Sequence, residues 1–288
     1  MKKNTSVRKV LRNLGKCCLL ICMMSLFYSI PVCAEQAGIT PENFDYEWYL
    51  ERHPDLAAVV SADDREAVWN FYQTTGKPAG WIGRITKEYL IDEQSFDYAR
   101  YAAEYPDATA YCGLDPHALY QHYMTVGLLE GRKAYSTNRK TEAIIKIYDL
   151  AETITKDCTT DSQRINAVHD WMVRNIAYDY DNYLASSIPD CSYTQEGAIL
   201  YGIAVCSGYA HTFSSFMDVL GIESEYISGQ GNGGGHAWNR VMLNGRWLYI
   251  DVTWDDPVPD RGPNAPIRYT YYLVEDPTFG GTHVPDEG

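Results

Sequence analysis

The sequence predicts an α+β protein in which helices are followed by an antiparallel sheet, with a small all-helical module ahead of that domain. Two tyrosine-rich segments recur about 52 residues apart in the first half of the chain, which predicts the module. Apolar residues at helical spacing follow from about residue 141, and strand patterns broken by glycine and proline occupy the residues after 223. These observations predict domains at 1–34, 44–135 and 139–288.

The first 34 residues have the pattern of a secretory signal peptide. Six basic and no acidic residues precede an apolar run from Cys17 to about Ile30, and small residues follow just before Glu35. The run is too short and wrongly flanked for a membrane span. We therefore expect cleavage after Ala34, a secreted or cell-surface mature chain, and no stable membrane insertion.

The mature chain is strongly acidic. Removing residues 1–34 leaves 254 residues and changes the formal net charge from −14 to −20, because all six charged residues that are lost are basic. Such a surface argues against nucleic acid or an anionic membrane as the partner.

Four cysteines remain after the predicted cleavage, too few for a disulfide scaffold. They are Cys112, Cys158, Cys191 and Cys206. If Cys206 is a free thiol, the other three form one bridge at most, and their spacing does not select a pair.

The helical module is predicted from an internal repeat. FDYEWYLERHPDLAAVV begins at Phe44 and FDYARYAAEYPDATAYC begins at Phe96, while the later halves match at an offset of 51, with Tyr72 against Tyr123. The copies span 44–84 and 96–133. Each pattern indicates a short helix, a loop, a second short helix and a glycine-terminated end, with aspartates at the helix N-caps.

The aromatic residues of these copies suit either a ligand surface or the core of a small helical module, and we favour the core. The copies resemble FDxxYY…PD…HYxxxGxxEGR repeats of exported bacterial proteins. This resemblance implies an accessory module at the surface or cell wall, able to bind a cell-surface component, and it implies no chemistry.

Helical patterns continue after the polar linker STNRKT (residues 136–141). TEAIIKIYDLAETI is the first, and the capped segment TTDSQRINAVHDWMVRNIAYD places four apolar residues on one helix face. These are Ile165, Val168, Met172 and Ile176. His169 lies beside that face and has the position of a structural histidine. Residues 182–200 have a loop composition, and the next helix is predicted from about Cys206 to Leu220.

Cys206 falls in the first turn of that helix. The unsatisfied backbone N–H groups and the positive end of the helix dipole favour a thiolate there, and they can hold a developing oxyanion. Gly208 permits close packing or substrate access beside it, and Tyr209 begins the apolar face. This position suits a nucleophile.

A base for the thiol is predicted at His236. The dipeptide Asn244-Gly245 indicates a two-residue hairpin turn that pairs Leu243 with Arg246. In this register Asp251 lies opposite Trp238, so His236 and Asp251 are diagonal neighbours on one face of the ribbon.

These positions suggest a division of roles. Cys206 attacks a carbonyl, His236 takes and returns its proton, and Asp251 fixes the tautomer of His236. Gly235 and the glycines before it are expected to make the segment that leads into His236 flexible and to let substrate approach closely.

Other polar residues near these motifs receive simpler interpretations. Trp238 and Trp254 are candidate supports of the site, and Asp255 and Asp256 beside Pro257 are interpreted as turn caps. His211 lies about 140° around the helix from Cys206 and points away from it. A metal site made of Cys206, His211 and His236 lacks paired ligand spacing, so no metal is predicted.

Three motifs in this order resemble those of the transglutaminase-like superfamily: AVCSGYA at Cys206, GHAWNRV at His236 and YIDVTWDD at Asp251. The upstream helix HDWMVRNIAYD also resembles one of that superfamily, and the resemblance extends from about residue 141 to 275. It implies a papain-like fold, a Cys-His-Asp triad at these positions and acyl transfer through a thioester. Papain-like enzymes carry an oxyanion glutamine where this sequence has Leu200, so the second oxyanion donor is left open.

The sequence thus predicts an exported cysteine enzyme that acts on a protein, peptide or cell-wall peptide without a cofactor. An amine can resolve the thioester, which gives transamidation, or water can, which gives a peptidase or amidase; the sequence leaves both open. The alternative is a non-catalytic cell-surface binding or assembly protein that uses the N-terminal repeats. An intact set of Cys, His and Asp argues against that alternative.

Overall fold

A computed structural model describes residues 39–256, 258–259 and 264–286. The predicted signal peptide, with its cleavage site, lies outside the described residues. The chain divides into two compact units, the first ending at Thr86 and the second beginning at Lys87. Within the described ranges, no helix combines the length and apolar character needed to cross a membrane.

The first unit contains short helices around an aromatic core. Helix α1 (Tyr46–Arg52) is followed by a 3-10 turn, and α2 (Arg65–Phe71) continues into a π-helical turn that ends at Gly76. Asp45 and Asp64 cap the two helices by accepting backbone hydrogen bonds, as expected of aspartate N-caps. The buried core consists of Phe44, Tyr46, Tyr49, Leu56, Val68 and Tyr72.

The second unit begins with three short helices, α3 (Tyr98–Glu104), α4 (Pro106–Cys112) and α5 (Pro116–His122). Helix α4 occupies a segment that the sequence predicts as a loop. Pro106 stands at the first helical position, where its missing N–H costs nothing, and two alanines follow, so the segment forms a helix.

Two long helices follow. Helix α6 is Arg139–Thr155, and α7 is Asp161–Asn175, which starts with the predicted capping box between Thr160 and Gln163. Ile176 ends α7 with an extended backbone and is still buried.

The segment after α7 is more structured than the predicted loop. It contains strand β1 (Ala177–Tyr178), helix α8 (Tyr180–Leu184), a 3-10 turn and a π-helical turn, and it ends at β2 (Ile203–Ala204), which pairs in parallel with β1. Helix α9 then has the predicted bounds, Cys206–Leu220.

The main sheet is antiparallel with strand order β5-β4-β3-β6. Its strands are β3 (Ser224–Gly231), β4 (Gly234–Leu243), β5 (Arg246–Ile250) and β6 (His283–Pro285), with the short helix α10 (Val252–Asp255) after β5. Leu243 pairs with Arg246 across the Asn244-Gly245 turn, so the predicted register is confirmed.

The glycine-rich segment before His236 is a tight hairpin, and the expectation of a flexible entry there is wrong. Asn232 and Gly233 both have positive φ, at 48° and 82°, and they turn β3 directly into β4. Gly229 and Gly231 serve close packing, because a Cβ at Gly229 would lie 2.3 Å from the Val284 carbonyl oxygen.

The sheet packs against α9, which lies at the centre of the larger core together with α6 and α7. Asn239 of β4 joins the two layers: its buried side-chain amide donates to the Ala210 carbonyl oxygen at 3.1 Å and to Ser214 Oγ at 2.9 Å, both on α9. This bond fixes the strand that carries His236 against the helix that begins with Cys206. The predicted α+β fold is confirmed.

Candidate active site

Cys206 is the first residue of α9 and is half-buried. Among the described residues, no side chain caps this helix at Val205, so its first N–H groups are open to a ligand. A Cβ at Gly208 would lie 2.4 Å from the Ser192 carbonyl oxygen and 2.8 Å from Ala204 Cβ. Glycine at 208 therefore lets the first turn of α9 lie directly against the preceding chain, which fixes the thiol.

His236 and Asp251 meet across the β4–β5 hairpin. Asp251 follows the last residue of β5, and its Oδ1 accepts from the backbone N–H of Trp254, so it caps α10. Its Oδ2 accepts from His236 Nε2 at 2.7 Å, in a side chain that is fully shielded from solvent. The sequence places these residues as diagonal neighbours, and the structure brings them into hydrogen-bond contact.

The hydrogen bonds define the protonation of His236. An ionised carboxylate only accepts, so Nε2 of His236 carries a hydrogen, and Nδ1 is the ring nitrogen left for Cys206. Burial opposes a charge on His236, but the bonds to Asp251 and Cys206 outweigh it and raise its pKa to about 9. Burial would raise the pKa of Asp251, yet hydrogen bonds from His236 and His283 hold that pKa below its usual value.

A residue that sequence reasoning missed completes this cluster. His283 of β6 is fully buried, and its Nε2 lies 3.0 Å from Asp251 Oδ2, the same oxygen that accepts from His236. The segment GGTHVP carries no periodicity or motif that points to Asp251. Only the pairing of β6 with β3 brings His283 there.

Aromatic rings enclose the two imidazoles. The ring centre of Trp254 lies 5.1 Å from that of His236 and 4.4 Å from that of His283. The ring centre of Trp238 lies 5.9 Å from that of His236 and 4.8 Å from that of His283. Trp238 is 1% exposed, and among the described residues its indole N–H has no hydrogen-bond partner. Both tryptophans therefore line the polar cluster and exclude water from it, which strengthens its hydrogen bonds.

The ligand atoms of His236, Asp251 and His283 lie within 4.8 Å of one another, a donor set that divalent cations use. Each Nε2, however, donates its hydrogen to the carboxylate and offers no lone pair there. A cation would have to replace both hydrogen bonds, so the arrangement favours a proton-carrying network.

Part of the chain matches a known protein family. Residues 148–252 match the model of a family described as the Transglutaminase-like superfamily. The chain contains a transglutaminase-like domain. The matched range includes Cys206, His236 and Asp251, and it ends before Trp254 and His283.

Two curated proteins are similar to this chain. Kyphoscoliosis peptidase of Mus musculus is 27% identical over 154 residues, which cover 48% of this chain and 23% of that protein. Hillarin of Drosophila melanogaster is 24% identical over 157 residues, covering 45% of this chain and 18% of that protein. The chain thus spans about a quarter or less of the length of these relatives.

A solved structure described as the crystal structure of a TGase is also similar. It has a TM-score of 0.37 and 19% sequence identity, and the match covers 48% of this chain and 37% of that one.

Two other predicted supports of the transglutaminase-like domain lie in different surroundings. Tyr209 is buried, and its hydroxyl contacts the Ile176 carbonyl oxygen and the Asp256 carboxylate, so it joins α9 to the end of α7. Gly235 pairs with Gln230 in the β3–β4 hairpin, and no described atom would lie within 4 Å of a Cβ there. The structure gives Gly235 no packing role.

The interpretation of Asp255 and Asp256 as turn caps is wrong. Both are buried, because α10 directs this acidic run into the domain. Asp255 accepts from the Tyr271 backbone N–H at 3.0 Å and lies 3.3 Å from His169 Nε2. The transglutaminase-like domain therefore holds a second buried His–Asp pair, which joins α7 to α10.

Proposed function

We propose that this chain is an exported cysteine-dependent acyl-transfer enzyme that acts on peptide or glutamine-type amide bonds. One observation carries the proposal: Nε2 of His236 bonds to Asp251, and the interaction of His236 with Cys206, the first residue of α9, helps to raise the pKa of His236. Nucleophile, base and orienting carboxylate are then in the order that covalent acyl transfer requires.

The chemistry follows from these contacts. The Cys206 thiolate attacks the amide carbonyl, and the N–H groups at the start of α9 face the oxygen that becomes negative. Protonated His236 donates from Nδ1 to the leaving amine, which departs as the C–N bond breaks and leaves a thioester on Cys206. Neutral His236 then takes a proton from the incoming water or amine, the thioester bond breaks, and the Cys206 thiolate re-forms beside protonated His236.

Hydrolysis and transfer differ only in which nucleophile reaches the thioester. The name of the mouse relative, a peptidase, supports water, while the family description supports an amine. The signal-peptide pattern of residues 1–34 supports a protein, peptide or cell-wall peptide outside the cytoplasm as substrate.

The nucleophile is tested by alkylation. Iodoacetamide at neutral pH is expected to label Cys206 faster than Cys112, Cys158 and Cys191, all of them free thiols that serve as internal controls. The His236→Ala variant should lose most of that advantage. Equal labelling of the four thiols would reject a catalytic Cys206 and favour the binding-protein alternative.

The second half-reaction is tested with a glutamine peptide, offered with and without a primary amine. An amide product detected by mass spectrometry supports transfer. Free acid alone, with the amine present, supports a peptidase or amidase.

A further inference from the structure

The most informative feature outside the three predicted residues is the second histidine on Asp251. His236 Nε2 and His283 Nε2 lie 2.7 and 3.0 Å from the same oxygen, Oδ2, while Oδ1 accepts the longer bond from Trp254 N–H, at 3.2 Å. Asp251 is fully buried. Its carboxylate is thus held at three points, and two of them are imidazoles from different strands.

The sheet brings the two imidazoles together through glycines. Gly229 of β3 lies opposite His236 on β4, and Gly231 of β3 lies opposite His283 on β6. A Cβ at Gly231 would lie 3.0 Å from the His236 ring and 2.9 Å from Trp254. The two histidine ring centres are 5.4 Å apart. The glycines of β3 therefore provide the space in which both rings approach one carboxylate.

The second ring nitrogen of His283, Nδ1, also has a hydrogen-bond partner. Nδ1 lies 2.9 Å from Thr282 Oγ1, and that hydroxyl lies 3.2 Å from the Phe279 carbonyl oxygen. If Thr282 donates to Nδ1, His283 is neutral with its hydrogen on Nε2. If Thr282 donates to Phe279, His283 must carry hydrogens on both nitrogens. In either state Nε2 carries the hydrogen that Asp251 accepts.

Aromatic rings surround the buried side chain of His283. The ring centres of Phe279 and Trp254 each lie 4.4 Å from that of His283, and the ring centre of Trp238 lies 4.8 Å from it. The His283 side chain has no solvent exposure. These rings and the contacts at both nitrogens hold the imidazole in place, so its Nε2–H can orient the carboxylate.

We propose that His283 is a positioning residue of the Cys206–His236–Asp251 site: its Nε2–H fixes the Asp251 carboxylate in the orientation that lets the same oxygen accept from His236. The proposal rests on the proposed function, because it assigns His283 a role in presenting His236 to the thiol. Without this bond, the long Trp254 contact and His236 are the partners that the carboxylate keeps among the described residues, and the His236 imidazole loses its fixed orientation toward Cys206.

The experiment compares two amides at position 283. A glutamine amide nitrogen falls near the place of His Nε2, whereas an asparagine amide nitrogen falls near that of Nδ1. His283→Gln is expected to keep the Cys206 alkylation rate within about twofold, and His283→Asn to slow it about tenfold. His169→Gln and His169→Asn are the matched control, since His169 bonds to Asp255 and not to Asp251; neither should change the rate, whatever their unfolding temperatures.

The outcomes separate the two proposals. If wild-type Cys206 reacts no faster than the other three thiols, the proposed function fails. If wild-type Cys206 is fast but His283→Asn and His283→Gln react alike, only the role of His283 fails. Should the variants not fold, nitrogen-15 NMR of the wild-type histidines decides: the proposal requires a hydrogen on Nε2 of His283, and a ring protonated only on Nδ1 would overturn it.

Discussion

Asp251 Oδ2 accepts from His236 Nε2 at 2.7 Å across the β4–β5 hairpin, and the same residue starts α10 by accepting from the Trp254 backbone N–H. One side chain thus ends a strand, begins a helix and fixes the tautomer of the histidine beside Cys206. Oδ1 caps the helix, and Oδ2 accepts the hydrogen bond from His236.

This separation makes Asp251→Asn an informative substitution. The asparagine Oδ1 can still accept from Trp254, so the variant is expected to fold, but its amide cannot serve both histidines as a common acceptor. His236 is then no longer held in the orientation that lets it take the Cys206 proton, so alkylation of Cys206 should slow by on the order of tenfold to thirtyfold. Mass-spectrometric labelling rates measure the effect. A rate like that of wild type in a folded variant would exclude Asp251 as the orienting group.

The pH dependence of stability follows from His236. Its pKa of about 9 exceeds the ordinary 6.5, since its bonds to Asp251 and Cys206 outweigh burial. A group whose pKa is raised on folding stabilises the folded state fully below about pH 6.5, and this contribution is lost as the pH rises through about 9. The free energy of unfolding, measured by denaturant titration from pH 6 to 10, should therefore contain a decline that His236→Gln lacks.

Cys206→Ser serves as the companion variant in that titration. It removes the sulfur group whose interaction helps to raise the pKa of His236 but leaves Asp251, so the decline should shift to lower pH without disappearing. Identical pH profiles for wild type and His236→Gln would contradict the raised pKa.

Much of this site could be predicted from sequence because short-range chemistry determines it. The Asn244-Gly245 turn defines the pairing of β4 with β5, and with it the approach of His236 to Asp251. The start of α9 at Cys206 is likewise a local property, since glycine and apolar residues follow at helical spacing.

The part of the site that the sequence did not predict depends on the pairing of strands that are far apart in the chain. His283 reaches Asp251 only because β6 adds to the outer side of β3, 32 residues further along the chain than Asp251. No local pattern specifies that pairing. A local signal was available for the hairpin at Asn232-Gly233, another Asn-Gly dipeptide, but the surrounding glycines suggested flexibility instead of a turn.

Gly231 offers a test of how closely the site is packed. A Cβ there would lie 2.9 Å from Trp254 and 3.0 Å from His236, so Gly231→Ala should displace these rings and slow alkylation of Cys206 several-fold. Gly234→Ala is the matched control in the same hairpin, because the nearest atom to its Cβ would be 3.8 Å away. If both alanine variants keep the wild-type rate, the rings can yield without disturbing His236.

Asn239 provides a stability prediction that is independent of the chemistry. Its amide donates to the Ala210 carbonyl oxygen at 3.1 Å and to Ser214 Oγ at 2.9 Å, and it is 2% exposed. Asn239→Ala leaves the buried Ala210 carbonyl without this donor, which should lower the free energy of unfolding by about 1–3 kcal/mol. Asn239→Asp should be worse, since it places a carboxylate against two groups that now accept from the amide. Denaturant titration of both variants measures the difference, and a more stable Asp variant would show that the amide does not hold β4 to α9.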